Sequence, residues 1–367
     1  MAVYNRSGTA LSAVYDTDGV SLQYAYDKDG NEIFASGDAP WTPVPVSYTM
    51  NWLIKEAWLT NAETQRNAVK AIYQTSEDAI PFFIQTDGHG RYNEGNKGCH
   101  NLAEPVMRYI PNIMLGDYGS YYSNGNNPTN HTASSAGLVN YLPVMGNHEF
   151  MKGSAEDATI ADLPTLIASY VPSNGILGSQ TYGYYKVLDD TYNIKWLVGQ
   201  PHIPDSNASG GFTTGFTNDQ WEWFIDEMEA DDGYDIIVLN HEPFAGTFYN
   251  HTDGTTVTYA GQGGKVNLSP ILEDRKAKQS GTFTDVDGVT HSYDFTGCNS
   301  DLLCVFHGHI HRILSADKTE HGYPSFVGRD MTNNGDCAYG VIDREGGKLH
   351  IYPFSKTSVA EPIVLDL

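Results

Sequence analysis

Five short segments of this chain concentrate carboxylate, amide and imidazole groups: Asp87-Gly88-His89, Gly116-Asp117, Gly146-Asn147-His148-Glu149, Asn240-His241-Glu242-Pro243 and Gly308-His309-Ile310-His311. Each follows an apolar run, in order Pro81-Phe82-Phe83-Ile84, Ile113-Met114-Leu115, Leu142-Pro143-Val144-Met145, Ile236-Ile237-Val238-Leu239 and Leu303-Cys304-Val305-Phe306. Imidazole nitrogen together with carboxylate or amide oxygen is a donor set that first-row transition ions accept. Two such ions about 3.5–4 Å apart need a shared ligand, and a carboxylate offers two oxygens for it. The inventory divides accordingly. Asp87, His89 and His311 suit one ion, Asn147, His241 and His309 suit the other, and Asp117 would bridge them. Water held by such a pair ionises near pH 7 and becomes a nucleophile.

These side chains are far apart in sequence, so the fold has to bring them together. A short apolar run reads as a buried strand, and loops at the carboxyl ends of strands are where open α/β sheets build ligand sites. Helical patterning separates the runs. Thr60-Asn61-Ala62-Glu63 has the form of a capping box, followed by apolar positions at Val69, Ala71, Ile72 and Tyr73. A second helix is expected over residues 102–110, and a loop rich in Gly, Ser and Asn over 119–140. Asn218-Asp219-Gln220 opens a helix that puts Trp221, Phe224, Ile225 and Met228 on one face. Residues 182–187 and 194–198 flank Asp189-Asp190 as a hairpin. Strand–helix–strand spacing of this kind predicts βαβ units and a largely parallel inner sheet.

In this order, the five segments resemble the calcineurin-like metallophosphoesterase superfamily, whose pattern is D-x-H, G-D, G-N-H-[DE], H and G-H-x-H. The resemblance spans residues 81–311 with every motif intact. It implies an α/β (α+β) fold of four layers, with two mixed β-sheets sandwiched between helices. It implies hydrolysis of a phosphomonoester or phosphodiester by in-line attack of a hydroxide bridging two metal ions. The metal ligands it implies are Asp87, His89, Asp117, Asn147, His241, His309 and His311. His148 takes the role of contacting the phosphate and helping to protonate the leaving oxygen, which makes Asp117 and His148 the catalytic pair. The cofactors are two divalent or trivalent ions, and manganese, iron, zinc and nickel all suit nitrogen and oxygen donors. Two subfamilies fit poorly. Purple acid phosphatases have Gly where His89 stands and a metal-binding Tyr where Ser120 stands. Protein Ser/Thr phosphatases carry an Asp-Arg pair shortly after the second-motif Asp, absent from residues 116–122. Arg91 and Arg312 follow the first and last motifs closely and, with Tyr118, are candidates to touch a phosphate oxygen.

The 367 residues hold 45 acidic and 21 basic side chains, a net charge of -24, and 40% are hydrophobic. That charge argues against nucleic acid and anionic membrane as partners, while a metal site can reverse the sign locally for a phosphoester substrate. Residues 1–45 read as a separate extension. Tyr15-Asp16-Thr17-Asp18-Gly19 recurs as Tyr26-Asp27-Lys28-Asp29-Gly30, which predicts two tandem β-hairpins and a proline-marked linker. This stretch is similar to tyrosine-aspartate repeats of bacterial and phage surface or tail proteins, and could recruit an assembly partner. The main domain is expected over 46–367, with an insertion over 245–300 walling the site. Inside the insertion a helix starts at Ser269-Pro270 and a hairpin turns at Asp285-Val286-Asp287-Gly288. Two other functions share these features: a phage-like tail or surface module that keeps the fold, and an enzyme for a cell-envelope or nucleotide phosphodiester. Neither a basic–apolar leader nor an 18-residue apolar stretch is seen, which favours the cytoplasm, although a virion or another export route would leave the same sequence. Cys99, Cys298, Cys304 and Cys337 read as free thiols, with a Cys99–Cys298 bridge left open. His307 reads as packing or hydrogen-bonding support, and His202, His251 and His321 receive no role.

Overall fold

In the computed structural model, all five apolar runs are strands: Ala79–Gln85, Asn112–Leu115, Tyr141–Val144, Asp235–Asn240 and Leu302–His307. The structure describes residues 3–4, 10–11, 55–88, 110–117, 141–149, 167–168, 170–204, 212–285, 287–331, 335–355 and 357–367. The tandem hairpins, residues 102–109 of the expected second helix, the 119–140 loop and Cys99 lie outside them, and Ile110 is a bend. A short antiparallel pair, Val3–Tyr4 with Ala10–Leu11, is described ahead of the main body.

The strands form two large mixed sheets. One has six strands in the order Ile363–Asp366, Lys348–Phe354, Cys337–Asp343, Ala79–Gln85, Asn112–Leu115 and Tyr141–Val144. Its last three are mutually parallel. The other has nine, in the order Thr256–Tyr259, Gly246–Asn250, Leu314–Ala316, Ser325–Val327, Leu302–His307, Asp235–Asn240, Ile194–Val198, Tyr185–Asp189 and Ile176–Leu177. Here the four strands from Ser325–Val327 to Ile194–Val198 are parallel.

The apolar runs lack alternation because both faces of each strand are covered. Side chains on a strand alternate between faces. In Ala79–Gln85, Ile80, Phe82 and Ile84 point into the core between the sheets, while Phe83 turns toward Ala62 and Val69 of the helix Lys55–Tyr73. In Asp235–Asn240, Ile237 and Leu239 enter the inter-sheet core. Ile236 and Val238 pack on the far side against Trp221, Phe224 and Met228 of the helix Asn218–Glu229 and Ile271 and Leu272 of the helix Ser269–Ala277. The result is helix, sheet, sheet, helix, the four-layer arrangement expected.

Two boundaries differ from expectation. The first helix begins by Lys55, not at Thr60, and the Thr60 carbonyl accepts a hydrogen bond from the Thr64 hydroxyl inside it. Thr and Asn cost a helix interior only about 0.7 kcal/mol or less each relative to Ala, so a plausible cap did not stop the turns before it. The hairpin strand expected from residue 182 starts at Tyr185. The 245–300 stretch holds the helix Ser269–Ala277 and the hairpin Ser280–Thr284 with Thr290–Asp294. Asp285 closes that hairpin by accepting from the Asp287 and Val289 backbone. Its first strands, Gly246–Asn250 and Thr256–Tyr259, extend the nine-stranded sheet. Cys298, Cys304 and Cys337 are buried, and no disulfide bridge forms through Cys298. Among the described residues no helix is long and apolar enough to cross a membrane.

Candidate metal centre

Parallel strands deliver their carboxyl-end loops to the same edge of a sheet, and each sheet does so here. The six-stranded sheet carries Asp87, Asp117 and Asn147 past the ends of three neighbouring strands. The nine-stranded sheet carries His241, His309 and His311 past two. Neighbouring loops within each sheet are tied together: Asp87 N donates to Gly116 O at 3.0 Å and Gly308 N to His241 O at 3.0 Å.

The turns after these strands are sharp. Among the described residues seven non-glycine residues have left-handed φ, and four of them are Asp87 (51°), Asp117 (53°), His309 (69°) and His311 (58°). Each such backbone costs about 1–2 kcal/mol and persists only where the surroundings enforce it, a pattern typical of functional sites. Two glycines let the loops close up. A Cβ on Gly116, whose φ is 90°, would lie 2.3 Å from His241 Nδ1, and one on Gly308 would lie 2.1 Å from Thr86 Oγ1.

The side chains converge. One donor atom from each of Asp117, His241 and His309 lies within 4.8 Å of the others. His241 Nε2 is 3.2 Å from Asp117 Oδ2, 3.1 Å from Asn147 Oδ1 and 3.3 Å from His309 Nδ1. Asn147 Oδ1 is also 3.3 Å from His309 Nδ1. Beside this group, His311 Nε2 is 3.1 Å from Asp87 Oδ1. His241 Nδ1 faces the Leu115 carbonyl at 2.6 Å; a carbonyl only accepts, so that nitrogen carries a hydrogen and Nε2 is the atom left to face the cluster. A carboxylate oxygen, an amide oxygen and two imidazole nitrogens thus converge on one point. That donor set suits a first-row divalent or trivalent cation, and Asp87 and His311 lie beside it.

The electrostatics agree. Burial works against a charged His241, but Asp117, Asp87 and Glu242 outweigh it and hold its pKa well above the ordinary value. The Asp87 hydrogen bond likewise raises His311. The pocket therefore attracts positive charge. Burial, and then the charge at His241, lower His309 to about 4, so its imidazole is neutral at pH 7.

A set of buried polar residues supports the donors, and sequence reasoning gave most of them no role. Glu149 Oε2 accepts from Asp117 N at 2.9 Å and Gly146 N at 2.6 Å, and Oε1 from the Tyr170 hydroxyl at 3.1 Å. Asp117 Oδ1 accepts from His148 N at 2.8 Å, and Asp87 Oδ2 from His309 N at 2.9 Å. Glu242 reaches His309 Nε2 at 3.1 Å and the buried His202 at 3.7 Å. Burial raises the Glu242 carboxyl, while it lowers His202 well below an ordinary imidazole. Glu149 and Glu242 each stand next to a motif histidine, and a carboxylate in that position was the available signal. For His202 the sequence carried none.

His148 is half-buried, with Nε2 3.9 Å from Asp117 Oδ2 at the edge of the cluster. Arg312 is exposed next to His311. His89, Arg91 and Tyr118 lie outside the described residues. His307 is fully buried, edge-on to Phe244 at 4.7 Å, and burial lowers it to about 3, which matches a packing role. A family model described as calcineurin-like phosphoesterase matches residues 80–313. No curated protein matches the chain.

Proposed function

Because the chain belongs to the calcineurin-like phosphoesterase family, a family of metal-dependent phosphoesterases, we propose that it hydrolyses a phosphomonoester or phosphodiester at a centre of two metal ions. The ligands in this reading are Asp87, His89, Asp117, Asn147, His241, His309 and His311. The observation that carries it is the approach of Asp117, His241 and His309 donor atoms to within 4.8 Å from three different strand ends. When bound, two such ions neutralise charge on the phosphoryl group and bring the pKa of water to about 7.

The chain's own residues do the rest. Asp117, fixed through its backbone by Glu149 and through Oδ1 by His148 N, offers its other oxygen toward the centre of the cluster. His148, partly open to solvent, contacts a phosphate oxygen and gives its proton to the departing oxygen. General-acid assistance of this kind contributes about 10²–10⁴-fold. Arg312, exposed beside His311, holds a further phosphate oxygen. Residues 245–300 wall the substrate cleft. Manganese, iron, zinc and nickel all satisfy the donors, so availability selects among them.

The experiment is metal analysis of the purified protein followed by turnover of aryl phosphomonoesters and phosphodiesters with Mn²⁺ supplied. About two ions per chain, hydrolysis of at least one ester class and its loss in Asp117→Asn are expected. An Asp117→Asn variant that turns over like the parent refutes the proposal.

A further inference from the structure

We propose that Glu242 is a positioning residue that sets the tautomer and orientation of His309, and that Tyr259 and Gln262 hold Glu242 for that task. The inference rests on the metal-centre reading above and adds to it a physical link between the metal ligands and the segment after His241.

The argument begins with His309. Its Nδ1 faces Asn147 Oδ1 and His241 Nε2, each at 3.3 Å, and its Nε2 faces Glu242 Oε2 at 3.1 Å. A neutral imidazole has one N–H and one lone pair. Only the tautomer protonated on Nε2 turns a lone pair toward the donor cluster, and a carboxylate acceptor at Nε2 selects that tautomer. Partners on the outer nitrogen of a metal-binding histidine fix the ring and raise its basicity in the same way.

Glu242 is itself 1% exposed. A carboxylate buried to that degree is costly unless donors surround it. Besides His309, Oε2 accepts from the Tyr259 hydroxyl at 2.9 Å and from Gln262 Nε2 at 2.9 Å. Gln262 Nε2 also lies 3.3 Å from His309 Nε2; two donors do not bond to each other, so its hydrogens serve Glu242. The chain is bent to bring it there. Gly261 and Gln262 both adopt left-handed φ, 59° and 47°, one residue beyond the strand Thr256–Tyr259. Non-glycine residues rarely accept that conformation without an enforcing contact. Movement of the segment holding Tyr259 and Gln262 is thereby felt at His309.

The test is calorimetric titration of the metal-free full chain with Mn²⁺, together with the visible spectrum of the Co²⁺-loaded protein. The parent binds two ions. Glu242→Gln weakens one of them by about 10–100-fold, the loss typical of an outer partner, shifts the Co²⁺ bands and leaves the other ion unchanged. Tyr259→Phe, which removes only a hydroxyl, weakens the same ion by a smaller factor without lowering the melting temperature of the metal-free protein. Leu272→Val, a core change remote from these contacts, alters stability but not the spectrum. Parent-like affinity and spectrum in Glu242→Gln overturn the inference. Should that variant fail to fold, parent-like behaviour of Tyr259→Phe overturns it instead. A parent chain that binds no metal refutes the metal-centre reading itself, which distinguishes the two failures.

Discussion

The Glu149 carboxylate accepts the backbone N–H of Asp117 at 2.9 Å although 32 positions separate the two residues. The same oxygen accepts Gly146 N at 2.6 Å, so one buried acid clamps two adjacent loops of the six-stranded sheet. Glu149→Ala leaves both amides without that acceptor, at about 1–3 kcal/mol each. Glu149→Gln keeps an oxygen for the amides, and the Tyr170 hydroxyl can rotate to accept from the new NH₂ group. Thermal melting should therefore rank the variants parent, Gln, Ala, with metal affinity following the same order. Equal melting of Ala and parent would remove the clamp from the account.

His148 contributes to the site twice, through its backbone to Asp117 Oδ1 at 2.8 Å and through its ring. His148→Ala removes only the ring. Turnover is expected to fall by about 10²–10⁴-fold while the number of ions bound per chain stays at the parent value. Loss of metal in this variant would reassign the ring to ligand support.

Gly308 and Gly288 are opposite cases. A Cβ at Gly308 would sit 2.1 Å from Thr86 Oγ1 and 2.6 Å from Leu115 O, between the two sheets' loops. At Gly288 nothing lies within 4 Å, and only the φ of 81° is unfavourable. Gly288→Ala should cost about 1–2 kcal/mol and leave turnover intact. Gly308→Ala should abolish turnover and metal retention. Comparable activity in the two variants contradicts the close approach.

His321 is buried with Nε2 2.8 Å from the Ala245 carbonyl, and burial lowers its pKa to about 4. In the unfolded chain the value is ~6.5, so the unfolded state takes up the proton first. Stability is unaffected above that value and falls as the pH drops from ~6.5 toward about 4, by an amount on the order of 3 kcal/mol. His321→Gln keeps a donor for Ala245 O and cannot titrate. Denaturant unfolding at a series of pH values should show a shallower loss for the variant, and parallel curves would count against the prediction.

The motif strands were legible because their signal is local. Residues 81–84, 113–115, 142–145, 236–239 and 303–306 each declared a buried strand by unbroken hydrophobicity, and strands cover all five runs except Met145. The Trp221, Phe224, Ile225 and Met228 face was legible for the same reason, and the helix opens at Asn218 as read, with Thr217 as its cap. Thr60 misled because a capping pattern states what could end a helix, not what the preceding residues prefer. His202 was silent. Its burial beside Glu242 comes from the pairing of His202–Pro204 with Phe212–Thr214 and from the long-range packing around it, which no local window contains.

The sequence alone determined the inventory: which groups can bind a cation, which runs are strands, and the sequence order in which one follows the other. Covalent spacing and side-chain chemistry suffice for that. Only the tertiary structure decided which nitrogen of His241 and His309 faces the cluster, and that Glu149, Glu242, Tyr259 and Gln262 hold the donors in place. Those are properties of hydrogen bonds between remote residues, and their partners exist only once strand order brings the loops of two sheets to a common edge.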